Sequence, residues 1–73
     1  MTMVKLEIIF EVAQDPAGGY IAEALGEAIF TEAETLEELR ENLREAVICH
    51  YDDEEVRPKL IRLHLVHDEV LAV

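Results

Sequence analysis

The stretch TEAETLEELRENLREAV, residues 31–47, constrains the fold of this chain more than any other. Thr35 is a helix N-cap, because its hydroxyl can accept from an orphan N–H of the first turn. Glu38, three residues on, completes the capping-box pattern Thr35-Leu36-Glu37-Glu38. Together with Glu37 it also sets negative charge at the positive end of the helix dipole. At about 100° per residue, Leu36, Leu39, Leu43, Ala46, Val47 and His50 form one stripe, and Glu37, Glu38, Glu41, Arg44 and Glu45 lie opposite. This spacing predicts a helix from about Leu36 to about Tyr51 that lies on a core and keeps one wet face. Ile48 projects from the middle of the charged side. Two readings stand for it: a last turn packed under a loop, or a contact with a partner chain.

What precedes the helix needs a cover. Residues 3–12 alternate, with Val4, Leu6, Ile8, Phe10 and Val12 on one side and Lys5, Glu7, Ile9 and Glu11 on the other, the period of a half-buried strand. The turn cluster Asp15-Pro16-Ala17-Gly18-Gly19 then connects to a second strand over residues 20–25. Gly26 with Glu27 supplies the next turn, and residues 28–33 make a third strand. After the helix, the acids at 52–55 oppose its dipole and Pro58 prevents its return. Residues 59–66 read as a fourth strand. His67-Asp68-Glu69 is a turn or a bulge, and the apolar segment Val70-Leu71-Ala72-Val73 is a fifth strand or a continuation of the fourth.

The expected fold is therefore α+β in the order β-β-β-α-β(-β). A three-stranded antiparallel meander is followed by a C-terminal strand delivered to a sheet edge, and one face is covered by a single helix. The uncovered face, with Ile9, Ile21 and Leu25 as its candidates, reads as an apolar association surface.

With 73 residues the chain is one domain, 1–73, and it buries only about 60 % of its unfolded surface. One cysteine allows no internal disulfide, and no CxxC or Cys/His cluster offers a structural zinc. Small domains without such staples gain stability by oligomerising. The net charge of −11 is unevenly spread: −5 over residues 1–33, −7 over 34–55 and +1 over 56–73. Such acidity repels phosphate backbones, so direct nucleic-acid binding is not expected and a basic protein suits the field better. No apolar run approaches the ~20 residues of a membrane span. The N-terminus lacks the layout of a secretory signal, and a single free cysteine suits the cytoplasm.

The chemistry-bearing residues point away from catalysis. Glu7 and Glu11 share a strand face but stand ~13 Å apart, too far to hold paired metal ions. Adjacent helix positions do not face each other, so Cys49 and His50 form no pair, and Cys49 is expected to be buried and inert. His64 and His67, three apart on an expected strand, point to opposite faces and cannot share one ion unless His67 has left the strand. His50 with Asp52 or Asp53 reads as a solvated acidic loop. Neither a metal nor a cofactor is called for.

Several runs together resemble a known family. Gly19-Tyr20-Ile21-Ala22, then Thr31, then Glu34-Thr35-Leu36-Glu37-Glu38-Leu39, then Glu45-Ala46-Val47 are similar to the HicB-like antitoxin domain, over roughly residues 3–66. The resemblance is closest to short stand-alone members. It implies a partial ribonuclease-H-like fold, dimerisation, and neutralisation of a small basic toxin that cleaves mRNA. Full members also carry a C-terminal DNA-binding domain. No helix-turn-helix or ribbon follows the fourth strand here, so that activity is not carried over. Ala33-Glu34 also stands where the family has a glycine before the helix threonine.

Two classes of function follow: a non-catalytic, antitoxin-like module that binds a small basic protein, or a structural or regulatory homo-oligomer with no toxin. The expected assembly is a dimer or higher even oligomer through sheet edges and the apolar C-terminal segment. Its candidate partner or oligomer surface is Ile48, Arg62, His64, Val70, Leu71 and Val73.

Overall fold

A computed structural model of the protein describes residues 6–73. Its elements are β1 (Glu7–Gln14), β2 (Tyr20–Ala24), β3 (Phe30–Ala33), α1 (Leu36–His50) and β4 (Leu60–Val66). The sheet has four strands in the order β3-β2-β1-β4. β1 pairs antiparallel with β2, β2 pairs antiparallel with β3, and β4 lies parallel to β1. β3 and β4 therefore run in the same direction, and parallel strands need a crossover rather than a tight turn. α1 is that crossover.

The β1–β2 hairpin is closed by its turn residues. The Asp15 carboxylate accepts from the Ala17 N–H at 2.9 Å, and the Gly18 N–H donates to the Asp15 carbonyl at 2.9 Å. Gly18 and Gly19 have positive φ, which only glycine adopts without strain. The β2–β3 connection is longer than the tight turn expected at Gly26-Glu27: β3 starts at Phe30, and the Ala24 N–H donates to the Ile29 carbonyl at 2.9 Å. Ile29 is buried although it precedes the strand.

The helix starts as the capping pattern requires. Thr35 is extended, and its Oγ1 accepts from the Glu38 N–H at 3.1 Å. At the other end the Tyr51 N–H reaches the Val47 carbonyl at 2.9 Å. The Arg57 guanidinium donates to the Tyr51 carbonyl at 3.0 Å, which satisfies a carbonyl the ended helix leaves over. Asn42 ties α1 to the sheet by donating to the Glu32 carbonyl at 3.2 Å.

The core is Ile8, Phe10 and Val12 of β1, Ala22 and Ala24 of β2, Ile29, and Leu39, Leu43 and Val47 of α1. Leu36 and Ala46, expected in the same stripe, are half-buried at its margins, whereas His50 is exposed, with its Nε2 3.5 Å from a Glu27 carboxylate oxygen. Leu6 was expected to face the core but is exposed, since it precedes β1.

Three expectations need correction, and part of a fourth lies outside the described residues. The C-terminal segment forms neither a fifth strand nor an extension of the fourth: β4 ends at Val66, and residues 67–73 pair with no strand among the described residues. Cys49 is exposed rather than buried. It lies two residues after the inward-facing Val47, about 200° around the helix, so it faces solvent. Ile48 is not packed under a loop but stands half exposed on the last helical turn. The start of the expected first strand, residues 3–5, lies outside the described residues.

Candidate interaction surface

The helix packs over β2 and β3, and the β4 side of the sheet is left less covered. This offset creates three distinct surfaces. The first is acidic. Glu37, Glu38, Glu41 and Glu45 all stand exposed on the outer side of α1, preceded by Glu34. The loop that follows adds Asp52, Asp53, Glu54 and Glu55, also exposed. Part of that loop is built rather than merely solvated, since the Asp53 carboxylate accepts from the Glu55 N–H at 3.0 Å.

The second surface is the face of the sheet away from α1. Strand register sets its side chains in rows. Phe30, Glu23, Glu11 and His64 form one row, and Glu32, Ile21, Ala13 and Val66 form the next. Ile9 lies beside Arg62. The expected apolar face is therefore interrupted by carboxylates: Ile9 and Ile21 are half-buried between them, and Leu25 lies just past the end of β2. Arg62 grips Glu7 with two hydrogen bonds of 3.1 Å, Nε to Oε1 and Nη2 to Oε2. This hydrogen bond, and secondarily the Glu7 charge, raises the Arg62 pKa above its ordinary value.

The third surface is an open groove of about 450 Å³ between α1 and β4. Leu43, Ile61 and Leu63 form its floor, and Arg40, Arg44 and Lys59 rim it. Arg40 and Arg44 are one helical turn apart, so they project along the same side. Half of the six basic residues of a chain with net charge −11 thus gather at one apolar trough.

The residues singled out from the sequence divide between elements. Arg62 and His64 share the open face of β4, both exposed, and Val70, Leu71 and Val73 continue beyond that strand, also exposed. Two of these five therefore lie on β4 and three in the segment that follows it. Ile48 stands apart from them on the solvent side of α1. The Arg40–Arg44–Lys59 rim was not singled out. The spacing of Arg40 and Arg44 was a visible signal, but their meeting with Lys59 depends on where β4 docks.

Among the described residues, no three of His, Cys, Asp and Glu gather closely enough to hold a metal ion, and no helix is long and apolar enough to cross a membrane. The molecule is thus of the class of small α+β domains with one helix-covered and one open sheet face. No family model and no solved structure matches the chain. Two relatives do. A UPF0150 protein of Thermotoga maritima is 40 % identical over 67 residues, 92 % of this chain and 93 % of its own length. A UPF0150 protein of Archaeoglobus fulgidus is 45 % identical over 56 residues, 77 % of this chain and 83 % of its own length. The chain belongs to the UPF0150 family.

Proposed function

We propose that this chain is a non-catalytic, cytoplasmic binding module of the HicB antitoxin type, whose acidic helix face and following loop take up a small basic protein. The observation that carries this reading is the concentration of exposed carboxylates on one side of α1 and in residues 52–55. Nothing in the folding of the helix asks for so many: the capping box needs Glu38, and the dipole is served by acids in the first turn alone. Acids beyond the helix C-terminus oppose the dipole and cost stability, so a role in attracting a cationic partner accounts for them better. The HicB-like runs around Tyr20, Thr35 and Ala46 support the same reading.

The test is capture from a lysate of the source organism at physiological salt, with retained proteins identified by mass spectrometry. A small protein with pI above about 9 should be enriched. It should be lost when Glu37, Glu41 and Glu45 are all changed to Lys. Retention of no basic protein, or equal retention by the charge-reversed variant, would overturn the proposal.

A second reading, a homo-oligomer that needs no basic partner, is favoured by a separate observation. The outer edge of β4 is unpaired among the described residues, and the segment beyond it is exposed and apolar.

A further inference from the structure

The side of the sheet that carries α1 is unevenly covered, and what it leaves open has a definite chemistry. One helix of ~10 Å covers about two strands ~4.8 Å apart, and the sheet has four strands. Residues alternate sides along a strand, so Ile61, Leu63 and Leu65 of β4 share the helix side with their β1 neighbours Ile8, Phe10 and Val12. The β1 residues are buried, whereas Ile61 and Leu63 are half-buried and Leu65 is exposed. The three β4 residues form an apolar track ~13 Å long. At one end Ile61 and Leu63 floor the trough rimmed by Arg40, Arg44 and Lys59. At the other, Leu65 lines a hollow of about 200 Å³ with Val12, Tyr20 and Leu36.

The cations of the rim differ from the other bases. Arg57 donates to the Tyr51 carbonyl, and Arg62 donates to the Glu7 carboxylate. The side chains of Arg40, Arg44 and Lys59 make no hydrogen bond or ion pair among the described residues. Glu37 precedes Arg40 by three residues and Glu41 precedes Arg44 by three, a spacing at which helical side chains can meet. Both arginines line the trough instead.

Three uncompensated cations beside an exposed apolar track specify the chemistry of an occupant. Nucleic acid fits poorly: the net charge of −11 repels its phosphates, and no aromatic side chain lines the trough to stack its bases. A protein segment with both acidic and apolar residues matches the rim and the track together. Its conformation follows from its backbone. The N–H and C=O groups of β4 lie in the plane of the sheet, not over its face, so a segment in the trough must satisfy its own. A helix does so. Apolar residues at i, i+4 and i+7 of a helix span ~10 Å, near the length of the track. Arg40 and Arg44 are ~6 Å apart along α1, so acids at i and i+4 of a docked helix meet them in register. The α1 of a second copy does not supply such a helix, because its apolar side is already in its own core.

We propose that the trough and its track take up an amphipathic helix of another protein, apolar on one side and acidic along one flank. The docked helix lies on β4 beside α1. Its apolar side covers Ile61, Leu63 and Leu65, and its acids face Arg40, Arg44 and Lys59. This surface is separate from the acidic outer side of α1 and does not depend on a basic partner.

The experiment uses the full chain and a fluorescein-labelled, hydrocarbon-stapled peptide of about 14 residues, four helical turns. The peptide carries leucines at i, i+3, i+4 and i+7 and glutamates along one flank. Fluorescence anisotropy at physiological salt should show saturable binding in the micromolar range. In NMR spectra of the labelled protein, the amides of Arg44, Ile61, Leu63 and Leu65 should shift most. Arg40→Glu with Arg44→Glu, both at exposed positions, should weaken binding about tenfold or more. A peptide with lysines in place of its glutamates should recover most of that loss on the same double variant. Circular dichroism confirms that the variant is folded, and sedimentation should give it the same mass as the wild type. An unstapled peptide with a central proline should bind about tenfold more weakly or worse, because it cannot hold the helix. No binding, equal binding of the proline peptide, wild-type affinity in the double variant, no recovery with lysines, or shifts confined to another face would each overturn the proposal. So would assemblies of the chain that the double variant dissociates, which assign the trough to a second copy. Displacement of the peptide by a single-stranded oligonucleotide at equal concentration would overturn it in favour of nucleic acid.

Discussion

Gly19 faces the backbone of Ala33 so closely that a Cβ on it would lie 2.6 Å from the Ala33 carbonyl oxygen. This contact is where the β1–β2 turn meets the end of β3, just before the helix cap. Gly18, its neighbour, also has positive φ but has nothing within 4 Å of the position a Cβ would take. The two glycines therefore separate backbone strain from steric conflict. Gly19→Ala should destabilise by roughly 1–3 kcal/mol more than Gly18→Ala, since the obstructing atom is backbone and cannot swing aside. Urea unfolding of the two variants checks this; equal midpoints would show that the loop shifts to relieve the clash.

Leu39 and Leu43 are fully buried against the sheet, whereas Leu36 lies half-exposed at the margin. Leu39→Ala and Leu43→Ala should each cost about 2–5 kcal/mol, and Leu36→Ala distinctly less. Losses below about 0.5 kcal/mol at both buried positions would mean the helix presents another face to the core.

The Thr35 hydroxyl satisfies the Glu38 N–H at the exposed start of α1. Thr35→Ala should cost about 1 kcal/mol, and Thr35→Asp should restore most of it, because aspartate caps as well and suits the dipole. Equal stability of all three chains in thermal melts would exclude a capping contribution.

Deleting residues 69–73 removes side chains that the described fold leaves exposed. The loss of thermal stability should therefore come through assembly and grow with protein concentration, as mass action requires. A concentration-independent drop would place the segment against its own domain instead.

The chain should not bind duplex DNA specifically. Its net charge of −11 opposes the phosphate backbone, and the Arg40–Arg44–Lys59 rim is only three cations wide. Gel-shift and anisotropy assays at physiological salt should show no sequence-dependent complex; one of sub-micromolar affinity would refute this.

Much of the fold was legible because its signals are local. The alternation around Phe10, the turn cluster before Gly19 and the cap at Thr35 each specify their own element through bonds or periods only a few residues long. The stripe through Leu39, Leu43 and Val47 likewise named the buried side of the helix, and these three residues are in the core. Local pattern also named a fourth strand, Leu60–Val66, and an acidic outer helix face.

Tertiary structure decided the rest, and it did so where residues distant in sequence meet. A period says which side of a helix is apolar, but not which strands it covers. Only packing set α1 over β2 and β3, left β4 partly uncovered, and so brought Lys59 to Arg40 and Arg44. Parallel pairing of β4 with β1 likewise set Arg62 on Glu7, 55 residues away. Among the described residues the same pairing left residues 67–73 without a neighbouring strand, so an apolar segment that reads as a strand does not form one. Strand propensity needs a partner edge, and among the described residues β4 is already the outermost strand.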